Sequence, residues 1–292
     1  MIRAGVLLVM GLWMVSALVA AAEPCDGFRI GRYVSPARAL ATNSWWIEGP
    51  TGVVLVDTQL VPSATRELVE VAEGYTGKKV VFAFVLQPSP ERYNGTGWLA
   101  EHGVRVVSSE QVVEAIPAVD RRVRAALASR FRPDYPEDLV LPRIFGEEDL
   151  SIQAAGLEFA VLVLGPAASK AHIALRLGPH LFVGDLLANR HHARLEAGAL
   201  EEWLTMLDRL KRLGVQYVYP GRGYAAGPAL IDRQIEYLKV FRNEIAARHP
   251  HGPLPANVKA DIAASIAQRY PDYDNAPFIG PGIEALWGKY AK

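Results

Sequence analysis

From about residue 28 onward, apolar residues come in short runs broken by polar turns, and the period of the runs changes along the chain. Phe28-Arg29-Ile30 and Ser44-Trp45-Trp46-Ile47-Glu48 read as short strands. Gly49-Pro50-Thr51-Gly52 is a turn leading into an apolar strand over 53–56 that ends at Asp57. Pro62-Ser63 open a helix whose Leu68, Val71 and Ala72 fall on one face. A strand over 80–86, a helix over 95–102, a strand over 104–107 and a helix over about 109–129 follow. Strands with short intervening helices predict an α/β layering.

After Pro133-Asp134-Tyr135-Pro136 the texture shifts, and apolar runs over 139–141, 150–152, 159–164, 173–177 and 181–183 predict a second set of strands. Leu200, Trp203, Leu204, Leu207, Leu210 and Leu213 recur with a helical period. A strand over 215–219 then ends in Pro220-Gly221-Arg222-Gly223, and helices over about 229–248 and 255–269 close the reading.

The first residues have the texture of an export signal. Arg3 supplies a positive start, 6–19 an apolar run, and Ala20-Ala21-Ala22 a small-residue cleavage site before Glu23. The expectation is a signal peptide over 1–22, a mature chain over 23–292, and a periplasmic or secreted location. The apolar run falls short of the roughly 20 residues a spanning helix needs, so no stable membrane span is expected in the mature chain. Cys25 is the single cysteine and cannot form an internal disulfide. With 292 residues, half of them hydrophobic, the chain can bury a large core. Its 31 Lys+Arg balance 31 Asp+Glu, so no basic excess points to nucleic acid as a partner.

The informative run is Gln87-Pro88-Ser89-Pro90-Glu91-Arg92-Tyr93-Asn94-Gly95, a polar turn between the strand over 80–86 and the helix start Gly95-Thr96-Gly97-Trp98-Leu99. Three later landmarks follow at strand ends: Leu164-Gly165-Pro166, Phe182-Val183-Gly184-Asp185 and Pro220-Gly221-Arg222-Gly223. In this order and spacing, over roughly residues 28–245, the chain resembles the metallo-β-lactamase fold superfamily. The resemblance implies a four-layer αβ/βα sandwich, here followed by a C-terminal helical extension over about 246–292.

It also implies where a zinc centre would lie, at a His-x-His-x-Asp-His turn and three later ligands. In this chain Gln87, Ser89 and Arg92 stand at the three histidine positions of the turn, and Glu91 stands at its aspartate. Ala168 stands where a later histidine is expected, and Arg222 where the last one is; Asp185 alone keeps the family's residue type. Zinc hydrolases need imidazole and carboxylate ligands in fixed geometry. Gln and Ser are poor substitutes, and arginine is a permanent cation. The expectation is therefore a protein without metal or other cofactor, in which Arg92 and Arg222 neutralise Asp185 and Glu91, while Asp57 braces the turn.

Asn94, Lys170, His172, His191 and His192 are the further candidates to line a retained groove. His172, with Asp185 and Glu91, is the one set that could rescue a single metal; otherwise it begins a buried strand. His191 and His192 read otherwise as a solvated loop, and Lys170 as a surface lysine. Two functional readings stand beside that of a filled, purely structural site. One is a non-catalytic protein binding a small anionic ligand or a protein partner. The other is a hydrolase of the ester, thioester, lactone or lactam class with a remodelled mononuclear or metal-free centre.

Overall fold

The computed structural model describes residues 28–291; the expected signal peptide and Cys25 lie outside the described residues. The first sheet holds β1 (Arg29–Val34), β2 (Asn43–Gly49), β3 (Gly52–Val56), β4 (Val80–Phe84), β5 (Arg105–Ser108) and β6 (Arg143–Ile144), side by side in that order. Its first three strands are antiparallel neighbours, and β3 to β6 pair in parallel. The second sheet holds β7 (Leu150–Ala154), β8 (Leu157–Leu164), β9 (His172–Leu177), β10 (His180–Ala188) and β11 (Tyr217–Arg222), antiparallel except for the β10–β11 pair.

Strand periodicity produces the layers. Successive side chains leave opposite faces, so a strand apolar at every position is covered on both sides. In β8 and β9, Phe159, Val161, Ile173 and Leu175 join the core that the first sheet builds with Trp46, Leu55 and Phe84. Their alternates Leu162, Leu164 and Ala174 turn outward, where they meet helices α5 (Leu200–Lys211) and α6 (Ala229–Ala246) through Trp203, Leu207, Leu238 and Phe241. On the other side, α1 (Pro62–Thr76) packs on the first sheet through Ala64, Leu68 and Ala72. The layering is thus helix, sheet, sheet, helix, as the resemblance implied.

Three elements depart from the sequence reading. Residues 139–141 form no strand, and Val140 and Leu141 stay exposed. Pro142 lacks an N–H to donate to a ladder, and pairing begins only at Arg143, which joins the first sheet beside β5 rather than the second set. Pro90–Tyr93 forms a short helix, α2, inside the polar turn, just ahead of α3 (Thr96–Glu101). After α4 (Glu110–Phe131) and α7 (Ala256–Arg269) comes a further helix, α8 (Ile279–Tyr290), absent from the reading. Gly280, Pro281, Gly282 and Gly288 suppress its helical signal, but Ile279, Ile283, Leu286 and Trp287 bury fully against the second core, so packing prevails over propensity. Among the described residues, no helix is long and apolar enough to cross a membrane.

Candidate functional site

The landmarks converge at the ends of β3, β4 and β11, where the two sheets meet, and at Asp185, which lies inside β10 rather than at a strand end as the sequence suggested. At their centre lies Arg92, placed by α2 and fully buried. Its Nη1 donates to Asp57 Oδ2 at 3.1 Å and to the Asn43 carbonyl at 2.8 Å. Its Nη2 donates to Asp185 Oδ1 at 2.5 Å and to the Gly221 carbonyl at 3.2 Å. One guanidinium therefore bridges two buried carboxylates with its planar fork. The other oxygen of Asp185 accepts from Gln87 Nε2 at 2.8 Å, while Gln87 Oε1 accepts the Asp185 backbone N–H at 3.1 Å. Gln87 Nε2 also donates to Ser89 Oγ at 3.1 Å. The other oxygen of Asp57 accepts the Leu86 N–H at 2.9 Å, fastening the end of β3 to the end of β4. Asp57 holds a positive φ of 67° to do so, a conformation that non-glycine residues rarely adopt.

A second ion-pair group lies beside the first. Glu91 Oε1 accepts from Arg194 Nη1 at 3.1 Å and lies 3.6 Å from Arg222 Nη2. Arg222 Nη1 donates instead to the Leu40 carbonyl at 2.6 Å. The sequence expectation that two guanidinium groups serve Asp185 and Glu91 is therefore redistributed. Arg92 holds Asp57 as well as Asp185, and Arg194, which the sequence reading missed, is the hydrogen-bonded partner of Glu91. Arg194 lies in the stretch between β10 and α5, two residues past His192, where no motif or period marks it; only the folded chain brings it within reach.

Burial and charge oppose one another here. Burial works against the charge of Asp185, but Arg92, Arg222 and Arg194 together outweigh it and hold the carboxyl down at about 2. For Asp57 burial prevails over Arg92, and the carboxyl is pushed up to about 7. Burial also works against the charge of Arg92, yet Asp185, Asp57 and Glu91 raise its pKa above the ordinary arginine value.

The zinc centre that the sequence resemblance implies does not fit these residues. Both oxygens of Asp185 already accept from N–H donors, and the bridging position between Asp57 and Asp185 is filled by a cation that cannot be deprotonated. Among the described residues, no group of three or more His, Cys, Asp or Glu could hold a metal ion. Space is equally committed. A Cβ at Gly221 would come within 3.0 Å of Asp185 Oδ1, Arg92 Nη2 and the Gly184 backbone. Gly221→Ala should therefore cost about 1–3 kcal/mol by overpacking this cluster. Urea unfolding measures it, and a midpoint equal to the wild type would contradict the packing.

The remaining candidates separate. Ala168, Ser169 and Lys170 line a cavity of about 500 Å³ with Ser89, Glu91 and Arg222, while helix α4 forms the opposite wall. Lys170 is exposed there. His172 is buried at the start of β9, behind that wall; its Nε2 accepts the Ser169 N–H at 3.0 Å and lies 3.0 Å from Ser169 Oγ. Burial pushes the imidazole down to about 3. Asn94 is also buried away from the cavity lining, donating to the Leu60 carbonyl at 3.0 Å. His191 and His192 are likewise outside the cavity lining, and His192 is not solvated. Its Nδ1 lies 3.0 Å from the Tyr237 hydroxyl, within ring contacts from Tyr237, Tyr270 and Tyr273. His191 pairs with Asp274 in an isolated bridge, at 3.6 Å from its carboxylate. The two histidines thus fasten the C-terminal segment instead of facing a groove.

No protein-family model matches this chain, and no curated protein matches it. Solved structures do. A metallo-β-lactamase from Pontibacter korlensis superimposes with a TM-score of 0.59 at 17% identity, over 76% of this chain and 99% of that one. The DIM-1 metallo-β-lactamase gives 0.58 at 14% identity, over 76% and 97%. FIM-1 from Pseudomonas aeruginosa, solved in its mono-zinc form, gives 0.55 at 16% identity, over 76% and 95%. At these identities the likeness establishes the fold: two mixed sheets between helical layers, in the metallo-β-lactamase arrangement.

Proposed function

We propose, starting from the metallo-β-lactamase fold, that this chain is an exported, non-catalytic ligand-binding protein in which an arginine-centred ion-pair cluster takes the place of the zinc centre. The observation that carries the reading is Arg92, fully buried and bridging Asp57 and Asp185, so that a guanidinium neutralises Asp185, the one carboxylate at an expected metal position, in place of a metal. A guanidinium supplies the positive charge but neither a Lewis-acidic site nor an activated water. The retained cavity, with Ser89, Ala168 and Lys170 on its wall, is the place for a ligand. Export rests on the sequence of residues 1–22.

Metal content tests the reading. The mature protein, purified without a histidine tag and exposed to zinc, manganese and iron, should retain less than about a tenth of an equivalent by elemental analysis, since the carboxylates of the site are already held by arginines and, among the described residues, no imidazole stands beside them to complete a ligand set. Near one equivalent, lost on Asp185→Asn or His172→Gln, would overturn it.

One observation favours a metal-free hydrolase as the second reading: the hydroxyl of Ser169 at the cavity wall, 3.0 Å from His172 Nε2. The geometry serves a nucleophile poorly. The same Nε2 accepts a backbone N–H, burial keeps the ring from taking a proton, and Nδ1 has no hydrogen-bond partner to orient it. Hydrolysis of activated p-nitrophenyl esters that disappears in Ser169→Ala would establish this alternative.

A further inference from the structure

The cavity carries chemistry that narrows its ligand, on the premise that the reading above holds. Its walls present Arg122, Lys170, Arg194 and Arg222 against Glu91 and Glu196. Behind them, Arg92 is shared between Asp57 and Asp185. Counted together by formal charge with every group ionised, this assembly holds one positive charge in excess, and more whenever Asp57 carries its proton. A ligand with a single negative charge balances it, whereas a cation adds repulsion in a partly desolvated space.

Arg222 marks where that charge would sit. Its side chain is 4% exposed. Nη1 is committed to the Leu40 carbonyl, but Nε has no hydrogen-bond acceptor, and Nη2 lies 3.6 Å from Glu91, beyond hydrogen-bond range. Leaving N–H groups of a buried guanidinium without acceptors is costly; both atoms are closed off from solvent, so an incoming oxyanion would satisfy them in the planar fork that suits a carboxylate once the Arg222 side chain shifts toward the cavity. The Phe278 ring lies over Arg194 and Arg222, 5.3 and 5.5 Å from their guanidinium carbons, and closes this end of the cavity.

The opposite wall is apolar apart from Arg122. Val119, Val123 and Leu127 of α4 face the cavity, and Leu40 and Pro166 continue the surface. A volume of about 500 Å³ lies within the range of small-molecule sites. Neither a bare inorganic anion nor a neutral apolar molecule would use both walls.

We propose that this cavity binds an amphipathic monocarboxylate, with its head against Arg222, Arg194 and Lys170 and its aliphatic or aromatic body along α4.

Octanoate is the probe, titrated calorimetrically into the mature protein beside acetate, octan-1-ol and octylamine. Octanoate should bind saturably at one site, and the other three at least about tenfold more weakly. Val123→Asp, which places a charge on the apolar wall, and Arg222→Gln should each weaken octanoate about tenfold or more. Lys170→Met, an exposed position that leaves the fold alone, should weaken it about threefold and keeps the test independent of any loss of folding in Arg222→Gln. Octanol or octylamine binding as tightly as octanoate would overturn the inference, as would octanoate binding unchanged by Val123→Asp and Lys170→Met. Zinc assayed on the same sample separates the two levels. Zinc-free protein that ignores octanoate sinks this ligand class alone, whereas protein holding an equivalent of zinc sinks the reading beneath it.

Discussion

Replacing Arg92 by leucine should destabilise the protein by about 3–5 kcal/mol, because it strands two buried carboxylates without their shared cation. Leucine approximates part of the volume, but Asp57, Asp185 and the carbonyls of Asn43 and Gly221 lose four hydrogen bonds. Arg92→Lys keeps the charge but not the fork, and should cost less, about 1–2 kcal/mol. Combining Arg92→Leu with Asp57→Asn and Asp185→Asn should restore part of the loss, since neutral amides are far cheaper to bury than carboxylates. Equilibrium urea unfolding of these three variants beside the wild type reads all of this. An Arg92→Leu protein within about 1 kcal/mol of wild type would mean that the cluster is solvated in solution.

The stability of the wild type should fall off steeply below about pH 4 after a nearly level stretch from pH 6.5. Three buried groups with large shifts set most of this shape, and their signs differ; His192, also lowered by burial, adds a smaller loss of stability as pH falls below its ordinary value. His172, held at about 3 by burial, stays neutral in the folded chain while the unfolded chain protonates below 6.5, so it removes stability as pH falls from 6.5 to about 3. Asp57, raised to about 7 by burial, takes up its proton earlier in the folded chain, so between about 7 and 3.8 it adds stability as pH falls. Across their shared window the two nearly cancel. Below 3.8 Asp57 is protonated in both states, and Asp185, held at about 2, begins to remove stability alongside His172. Two protons then favour unfolding, a slope of about 3 kcal/mol per pH unit until about pH 3. Urea midpoints measured from pH 7 to pH 3 check the shape. His172→Gln, which keeps an acceptor for the Ser169 N–H, should turn the level stretch into one where stability rises as pH falls. A variant with the wild-type profile would show that His172 is not the opposing group.

The fold was legible from the sequence because its landmarks are local. Turn residues at strand ends, the apolar runs before them and the helical period over 200–213 each report on a few neighbouring positions, and their order carries the resemblance that implies the sandwich. The partial site was legible for the same reason, since Gln87, Glu91, Arg92, Asp185 and Arg222 sit in such landmarks. Which cation meets which anion was not, because it depends on contacts made across the sandwich. Arg92 reaches a partner 93 positions later and Glu91 one 103 positions later. Arg194 carries no local mark, and Phe278 lies beyond the region of resemblance, in a segment whose glycines and proline hide its helix. His192 misled because paired histidines in a polar stretch read as solvated, whereas the tyrosines that bury it come from α6 and the segment after α7.

An arginine at the heart of the sandwich also changes what the molecule depends on. A bound metal is exchangeable: it can be chelated, displaced by a stronger competitor or withheld when the surroundings are starved of it. The guanidinium of Arg92 is part of the chain, arrives with translation and cannot dissociate. The cation that joins the two sheets is therefore independent of ion supply, inherited rather than acquired.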